Sequence, residues 1–500
     1  MRDVKVRRSV VALCVVHIAV VACAKPKVGG AAEPPRPRPP SANVLQLRQA
    51  IAADTQAAGV QRGIWGIAVR SLDRNDTLVT LNSSTLLVPA STAKLVAVAS
   101  GAEAQSWNYQ FETPLLTNGT IANGVLTGDL VVKGSGDPSI GGRAGDGFSS
   151  WIDALKAKGI RRIDGRVIGD DDAFEDPRPG AQWTWEDVGY TSGVLFGALN
   201  YAENRIQVTV KPAPTAGGPT TLDVDPIALF RPLANRTVTG QAGSTTLVWP
   251  EQRPGDVPLT IAGSIAAGGD PARLFVSVGN PTLWFVNALR AALVSGGIEV
   301  TGSAVDIDDL AMKPDAKTTL YVHRSKPLGQ IAQPLLKDSI NLYAEAFLRL
   351  NVPSGVVFPN NDAAVELMRH RIWYWGIREG GQQLVDGSGL SRRDVLTADT
   401  LITVLGRLFD PRGASPWMTA LPIAGVDGTL SARMKGTPAE GNVRAKTGTM
   451  SNVRSLAGYV TTRDNEHLAF AIIVNNFEGT GAQATQAIDA IAVRLAGFSR

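Results

Sequence analysis

Residues 88–104 read VPASTAKLVAVASGAEA, and the architecture turns on how this stretch is read. Pro89 and Ser91 are helix-start residues, and the run from Thr92 to Ala104 is rich in Ala, Leu and Val, so a helix is expected to begin here. Ser91 and Lys94 stand three residues apart, a spacing that puts hydroxyl and amine on one helical face. A serine alone is a weak nucleophile and needs an adjacent base. A lysine can be that base once burial and neighbouring cations lower its pKa toward neutrality. The helix N-terminus adds positive potential and free N–H groups where an oxyanion would form. An S-x-x-K pattern by itself arises by chance about once in 500 residues. Its plain alternative is a capped helix with a surface lysine.

Two further elements, far along the chain, change the weight of this one. Lys446-Thr447-Gly448-Thr449 falls on an expected strand, where Gly448 would let a substrate backbone approach. A strand edge can pair with an extended peptide, and Lys446 with the hydroxyls of Thr447 and Thr449 would hold a carboxylate. Ser-x-Asn occurs at Ser41-Ala42-Asn43, Ser106-Trp107-Asn108 and Ser339-Ile340-Asn341. The first lies in a tether and the second is too close to Lys94 to form a separate wall. Ser339 and Asn341, within LLKDSINLYAEAFLRL, enter or interrupt an amphipathic helical stretch.

In the order S-x-x-K, S-x-N, K-T-G these elements form the set of penicillin-binding proteins and class A β-lactamases. The chain resembles, more narrowly, the low-molecular-mass penicillin-binding proteins of the D-alanyl-D-alanine carboxypeptidase/endopeptidase type, peptidase family S13. The spacing selects that family: Ser91 and Ser339 are 248 residues apart, room for its two extra domains. Similar text runs through roughly residues 45–500: PASTAKL, GDLVVKGSGDPSI, Trp183 and Trp185 with ALNYAEN, KDSINLYAE, DGSGLSRRD and RAKTGT. Ile340 departs from the acidic or amide residue commoner there, and leaves Ser339 and Asn341 intact.

The resemblance implies a fold and a mechanism. The fold is α+β: a split transpeptidase domain, its antiparallel sheet flanked by helices, carrying a β-rich, two-lobed insertion. Ser91 would attack the carbonyl of the penultimate D-alanine while Lys94 takes its proton. The backbone N–H groups of Ser91 and Thr449 would form the oxyanion hole. Ser339 would relay a proton to the leaving amine, Asn341 would position the acyl side chain and Lys94, and Lys446 and Thr447 would bind the terminal carboxylate. The implied substrates are peptidoglycan stem peptides, with D,D-endopeptidase action on cross-links as a second activity. β-Lactams would trap Ser91. No cofactor and no metal is expected. The other readings are a β-lactamase or esterase on the same scaffold, and a catalytically idle wall-binding protein.

Around the motifs, residues 42–58 have near-helical apolar spacing. Ile64–Arg70 and Thr77–Leu81 flank a hairpin turn at 73–76. Val443–Thr447, Ser455–Thr461 and Leu468–Asn475 are expected to be strands, and a helix from about Ala482 to Leu495 follows. Both chain ends would then build one sheet. Residues 120–281 are Gly/Pro/Thr-rich with short β-like runs, among them Val125–Lys133. They are assigned to the insertion, with an inner lobe at about 205–265. The catalytic domain is expected at 42–119 and 282–500. The Asp170–Asp172 run is read as a solvated turn rather than a metal site, and the tryptophans, including Trp183, Trp185, Trp373 and Trp375, mostly as core. Asp386-Gly387-Ser388-Gly389 lacks the spacing of a G-x-S-x-G nucleophile elbow.

The composition trims the remaining options. Of 500 residues 44% are hydrophobic and 19% charged, with mean hydropathy +0.03, which excludes a disordered chain and a polytopic membrane protein. The net charge of +4 hints at a polyanionic partner until it is located. Residues 1–40 hold eight Lys/Arg against two acidic groups, which leaves residues 41–500 at a net of −2. No nucleic-acid partner is expected. Both cysteines, Cys14 and Cys23, lie in the leader, so the body has no thiol nucleophile or thiolate metal ligand. Its three histidines, His323, His370 and His467, lack metal-ligand spacing.

Arg2, Lys5, Arg7 and Arg8 precede an apolar run from Val10 to Ala22, too short to span a bilayer. Residues 1–23 are read as a signal peptide, which places the enzyme in the periplasm. Ala22-Cys23-Ala24 suits ordinary cleavage, whereas Val20-Val21-Ala22-Cys23 resembles a lipoprotein box that would acylate Cys23. Both stay open. Membrane contact is expected only through this signal or such an anchor. Pro-rich residues 24–41 form a tether.

Overall fold

A computed structural model describes residues 40–175, 179–180, 183–184, 187, 190–225, 233–251, 259–353 and 360–500. The signal segment, Cys23, most of the tether and Trp185 lie outside these residues. Among the described residues, no helix is long and apolar enough to cross a membrane.

The two ends of the body meet in one five-stranded antiparallel sheet. Its order is Thr77–Leu81, Ile64–Ser71, His467–Asn475, Val453–Thr461, Arg444–Met450. Ile64–Ser71 pairs with His467–Asn475 along its whole length, from Ile64 opposite Asn475 to Ser71 opposite Leu468. The central strand is apolar on both faces because both are covered. Leu468, Phe470, Ile472 and Val474 point into one core with Val44, Leu47 and Ile51 of helix Ala42–Asp54 and Ile488, Ile491 and Leu495 of helix Gly481–Gly497. The alternate residues Ala469, Ala471 and Ile473 face the second core with Leu95, Val98, Leu336, Phe347 and Leu401. Small residues on that face let the inner helices lie close against the sheet.

Between the sheet's halves sits the insertion, and strand pairing moves its expected edges outward. Glu112–Thr117 pairs with Thr318–Arg324, so the chain enters and leaves the insertion through one antiparallel pair. Helix Pro281–Ser295, expected in the catalytic domain, buries Phe285, Val286, Leu289 and Leu293 in the insertion's core with Trp151 and Leu155. The catalytic sheet and its helices therefore fall within 42–111 and 325–500 rather than 42–119 and 282–500. The inner lobe stacks two three-stranded sheets around Ile206, Val208, Val210, Leu259, Ile261, Ile265 and Val276. It reaches past 265, because Ala272–Ser277 pairs with Arg205–Lys211.

Two local expectations also change. Val125–Lys133 is not one strand: Gly128, at φ +138°, breaks it into Val125–Thr127 and Leu130–Lys133, which join different sheets. The Asp170–Asp172 turn is not solvated throughout. Asp171 is buried and accepts a hydrogen bond from Thr282 Oγ1, and burial pushes its carboxyl up to about 6. With Asp306 and Asp308 it forms an acidic cluster on the insertion. Trp373, expected in a core, is exposed with Arg378 over its ring.

Candidate active site

Ser91 lies in a 3₁₀ turn, Ala90–Ala93, that runs directly into helix Lys94–Gln105. Residues Lys94 to Ala102 of that helix are all buried, as an all-round apolar helix must be. Ala90 has φ +48°, a left-handed conformation that costs a residue with a Cβ about 1–2 kcal/mol. Tertiary contacts hold the turn there. Ser455 Oγ on the sheet donates to Pro89 O at 2.6 Å and meets Thr92 Oγ1 at 3.2 Å.

Gly448 completes the fit, for a different reason from the one expected. A Cβ at that position would stand 2.5 Å from Pro89 O and 2.1 Å from Ser455 Oγ. The missing side chain makes room for the serine turn, not for a substrate backbone.

Ser339 occupies the bend between helices Leu328–Lys337 and Asn341–Arg349, at φ +62°. Helix Asn341–Arg349 crosses the serine helix at Gly101, where a Cβ would stand 2.3 Å from Phe347 O. That close crossing brings Asn341 to the lysine. Lys94 Nζ donates to Ser91 Oγ at 2.9 Å, Asn341 Oδ1 at 2.6 Å and the Ser388 carbonyl at 2.6 Å. Asn341 Nδ2 donates to Ser192 O of the insertion at 2.7 Å, so its amide is used at both ends.

Arg444–Met450 is the last strand of the sheet, and its final residues Thr449 and Met450 line the cleft. Lys446 Nζ donates to Ser339 Oγ at 2.9 Å and to Thr447 O at 2.8 Å. Thr447 Oγ1 donates to Thr429 Oγ1 at 2.8 Å, while Thr449 is exposed. Of the eight motif residues named from sequence, Ser91, Ser339, Asn341 and Thr449 line one cleft of about 300 Å³, and Lys94, Lys446, Thr447 and Gly448 are buried next to them.

Both lysines are fully buried. Desolvation penalises an ammonium, and it brings Lys94 down to about 8 against the opposing pull of Asp386, Glu345 and Asp394. Lys446 is held well below the usual lysine range, by burial first and by the Lys94 charge second. A neutral amine at Lys94 is therefore within reach near physiological pH, and only that form can accept a proton from Ser91.

Sequence reading missed several contributors. The Asp386–Gly389 loop, which lacks the nucleophile-elbow spacing, supplies a backbone carbonyl to Lys94, and residue type does not encode that. A charge ladder was also unseen. Arg205 pairs with buried Glu203 at 2.8 Å, Glu203 with Arg143 at 3.4 Å, and Arg143 with Asp338 at 2.8 Å, next to Ser339. Ala202, Glu203 and Asn204 all have positive φ, a strained turn that aims Glu203 into the ladder.

Known proteins share this fold. The chain is 31% identical to the D-alanyl-D-alanine carboxypeptidase of Actinomadura sp. (strain R39) over 469 residues, 92% of this chain and 86% of that one. The crystal structure of penicillin binding protein 4 (dacB) from Haemophilus influenzae superposes with a TM-score of 0.78 at 26% identity, covering 89% of this chain and 98% of that one. The same protein complexed with a β-lactam has the same fold, at a TM-score of 0.72 and 24% identity over the same shares of both chains. The sequence matches the family model over residues 47–497. On that near-complete match, the chain belongs to the D-Ala-D-Ala carboxypeptidase 3 (S13) family.

Proposed function

We propose that this chain is a serine-type D-Ala-D-Ala carboxypeptidase that trims peptidoglycan stem peptides through an acyl-enzyme on Ser91 and is acylated there by β-lactams. The observation that carries the reading is Lys94 Nζ, sealed from solvent, 2.9 Å from Ser91 Oγ and lowered to about 8. Family membership and the named relatives agree with it.

In this reading Lys94, as the free amine, takes the Ser91 proton while Oγ adds to the carbonyl of the penultimate D-alanine. The N–H groups of Ser91 and Thr449 receive the oxyanion. As the C–N bond breaks, Ser339 gives its proton to the departing amine and recovers one from Lys446, its hydrogen-bond partner at 2.9 Å. Lys446 and Thr447 hold the carboxylate of the leaving D-alanine, and Asn341 orients the acyl side chain. Water then cleaves the ester, with proton transfers in reverse. The place of Arg444–Met450 at the end of the sheet, with Thr449 exposed, supports pairing of an extended peptide with that end of the strand. It also suits a D,D-endopeptidase activity, in which a cross-linking peptide leaves in place of free D-alanine.

The basic and apolar segments at 1–23 support export to the periplasm. Ordinary cleavage and acylation of Cys23 are separated by mass spectrometry of the mature N-terminus: an unmodified Lys25 start rules out the lipid anchor.

The test is D-alanine release from a disaccharide pentapeptide, run beside labelling with fluorescent penicillin. Wild-type protein is expected to do both and Ser91→Ala neither. Absence of D-alanine release by the wild type would sink the carboxypeptidase reading, and rapid turnover of penicillin would point to a β-lactamase.

A further inference from the structure

Of the three acceptors around Lys94 Nζ, the Ser388 carbonyl is held by a device of its own. Ser388 lies in a buried loop whose Gly387 and Ser388 N–H groups both donate to Glu345 Oε1, at 3.1 and 2.9 Å. Glu345 Oε2 pairs with Arg349 at 2.8 Å. From the other side Asp386 folds back on the loop: Oδ1 accepts the Gly389 N–H at 2.6 Å and Oδ2 the Ser391 N–H at 2.9 Å. Trp183 Nε1 donates to the same Oδ2 at 2.9 Å. Glu345 and Asp386 are 3% and 1% exposed. Glu345 stands one turn after Asn341 on helix Asn341–Arg349. One helix therefore supplies one lysine acceptor directly and fixes the other through two amides.

A lysine ammonium has three donors. The neutral amine keeps two of them and gains a lone pair. With Asn341 Oδ1 and Ser388 O each 2.6 Å away and able only to accept, both N–H groups are committed. The lone pair is left for the third neighbour, the Ser91 hydroxyl. We infer that Glu345, assisted by Asp386, is a positioning residue for the general base: it holds the Ser388 carbonyl against Lys94 so that the amine lone pair faces Ser91 Oγ. The inference rests on the reading of Lys94 as that base.

The charges around the lysine are consistent with this arrangement. Glu345, Asp386 and Asp394 face it from the helix and the loop, and Lys446 faces it from the edge strand. Burial, reinforced by Asp386, pushes Asp394 well above the carboxylate range, and its buried Oδ2 accepts no hydrogen bond. Burial also raises Glu345, opposed by Arg349 and by the Ser388 N–H.

The test is acylation of the full chain by fluorescent penicillin in Glu345→Ala and Glu345→Gln, measured per labelled molecule between about pH 6 and 10. The Ala variant is expected to acylate about tenfold to a hundredfold more slowly with prebinding of the β-lactam unchanged, since small misplacements of a reacting group cost that much. The Gln variant keeps an acceptor for the two amides and is expected to recover most of the rate. Its acid limb should move to lower pH, because an anion that raises Lys94 has gone. If the Ala variant does not fold, the displaced limb of the Gln variant carries the test alone. Wild-type rates and coincident pH profiles, with a lower melting temperature as the only change, would overturn the inference. Ser91→Ala keeps the two failures apart. Labelling that survives in it refutes the base assignment, whereas its loss beside unaffected Glu345 variants refutes only the positioning role.

Discussion

Lys446 Nζ and Ser339 Oγ lie 2.9 Å apart, which joins the edge strand of the sheet to a bend between two helices 107 residues earlier. Removing the amine leaves the Ser339 hydroxyl without this donor and, in the proposed mechanism, the substrate carboxylate without its lysine partner. Lys446→Met is expected to lower kcat/KM for D-alanine release by about 10²–10³, the usual cost of one preorganised electrostatic contact. Steady-state kinetics on a D-Ala-D-Ala peptide, with folding checked by circular dichroism, measures it.

The position of Lys94 near 8 sets the pH dependence. Acylation needs the neutral amine, whose fraction grows as pH rises through that value. The acylation rate should climb about tenfold per pH unit below 8 and level off above it. Rapid labelling with penicillin across pH reads the limb directly, and a flat profile would refute Lys94 as the base.

The same shift has a sign for stability. Folding lowers Lys94 from 10.5 to about 8, so between those values the unfolded chain binds more protons than the folded one. This group therefore makes stability rise with pH across about 8 to 10.5 and adds no slope below 8. Urea unfolding at both ends of the window, compared between wild type and Lys94→Met, should show the slope diminished in the variant.

Gly448→Ala tests the contact between strand and serine turn. Its Cβ would meet backbone at Pro89 O and the Ser455 hydroxyl, neither of which can yield without moving Ser91. Acylation is expected to fall at least about a hundredfold, as for a displacement on the order of 1 Å, while the far helices keep their circular dichroism. Near-wild-type labelling would show that the turn can retreat.

Glu203 is buried between two arginines in a strained turn, and its loss takes the carboxylate from Arg205 while Arg143 keeps Asp338. Glu203→Ala should destabilise the chain by about 1.5–3 kcal/mol, the range for hydrogen bonds to charged groups. The two arginines are partly solvated, which argues against a larger figure. The midpoint of urea unfolding measures the change.

The parts of the molecule that were legible in sequence are those written in side-chain type and period. The strands at both ends, the closing helix and all eight motif residues could be read because apolar runs and reactive side chains identify themselves. The edges of the insertion could not, because Glu112–Thr117 and Thr318–Arg324 declare their partnership only by pairing across 200 residues. The Ser388 carbonyl was invisible for another reason: every residue has a carbonyl, and only the Glu345 and Asp386 contacts make this one special. Gly448 was singled out correctly, but which atoms crowd it is a tertiary fact.

The pairing of Ile64–Ser71 with His467–Asn475 bears on when the enzyme becomes active. Strand Ile64–Ser71 waits for a partner made only once the chain has passed residue 467, so a growing chain has its serine and lysine long before it has a site. Closing a loop that long is slow and entropically costly. The insertion shortens it, because its terminal strands pair with each other and draw the flanking segments together. The inserted lobes thus act as a splint during folding. A chain cut short of residue 467 would carry every reactive side chain named here and still have no sheet on which to assemble them.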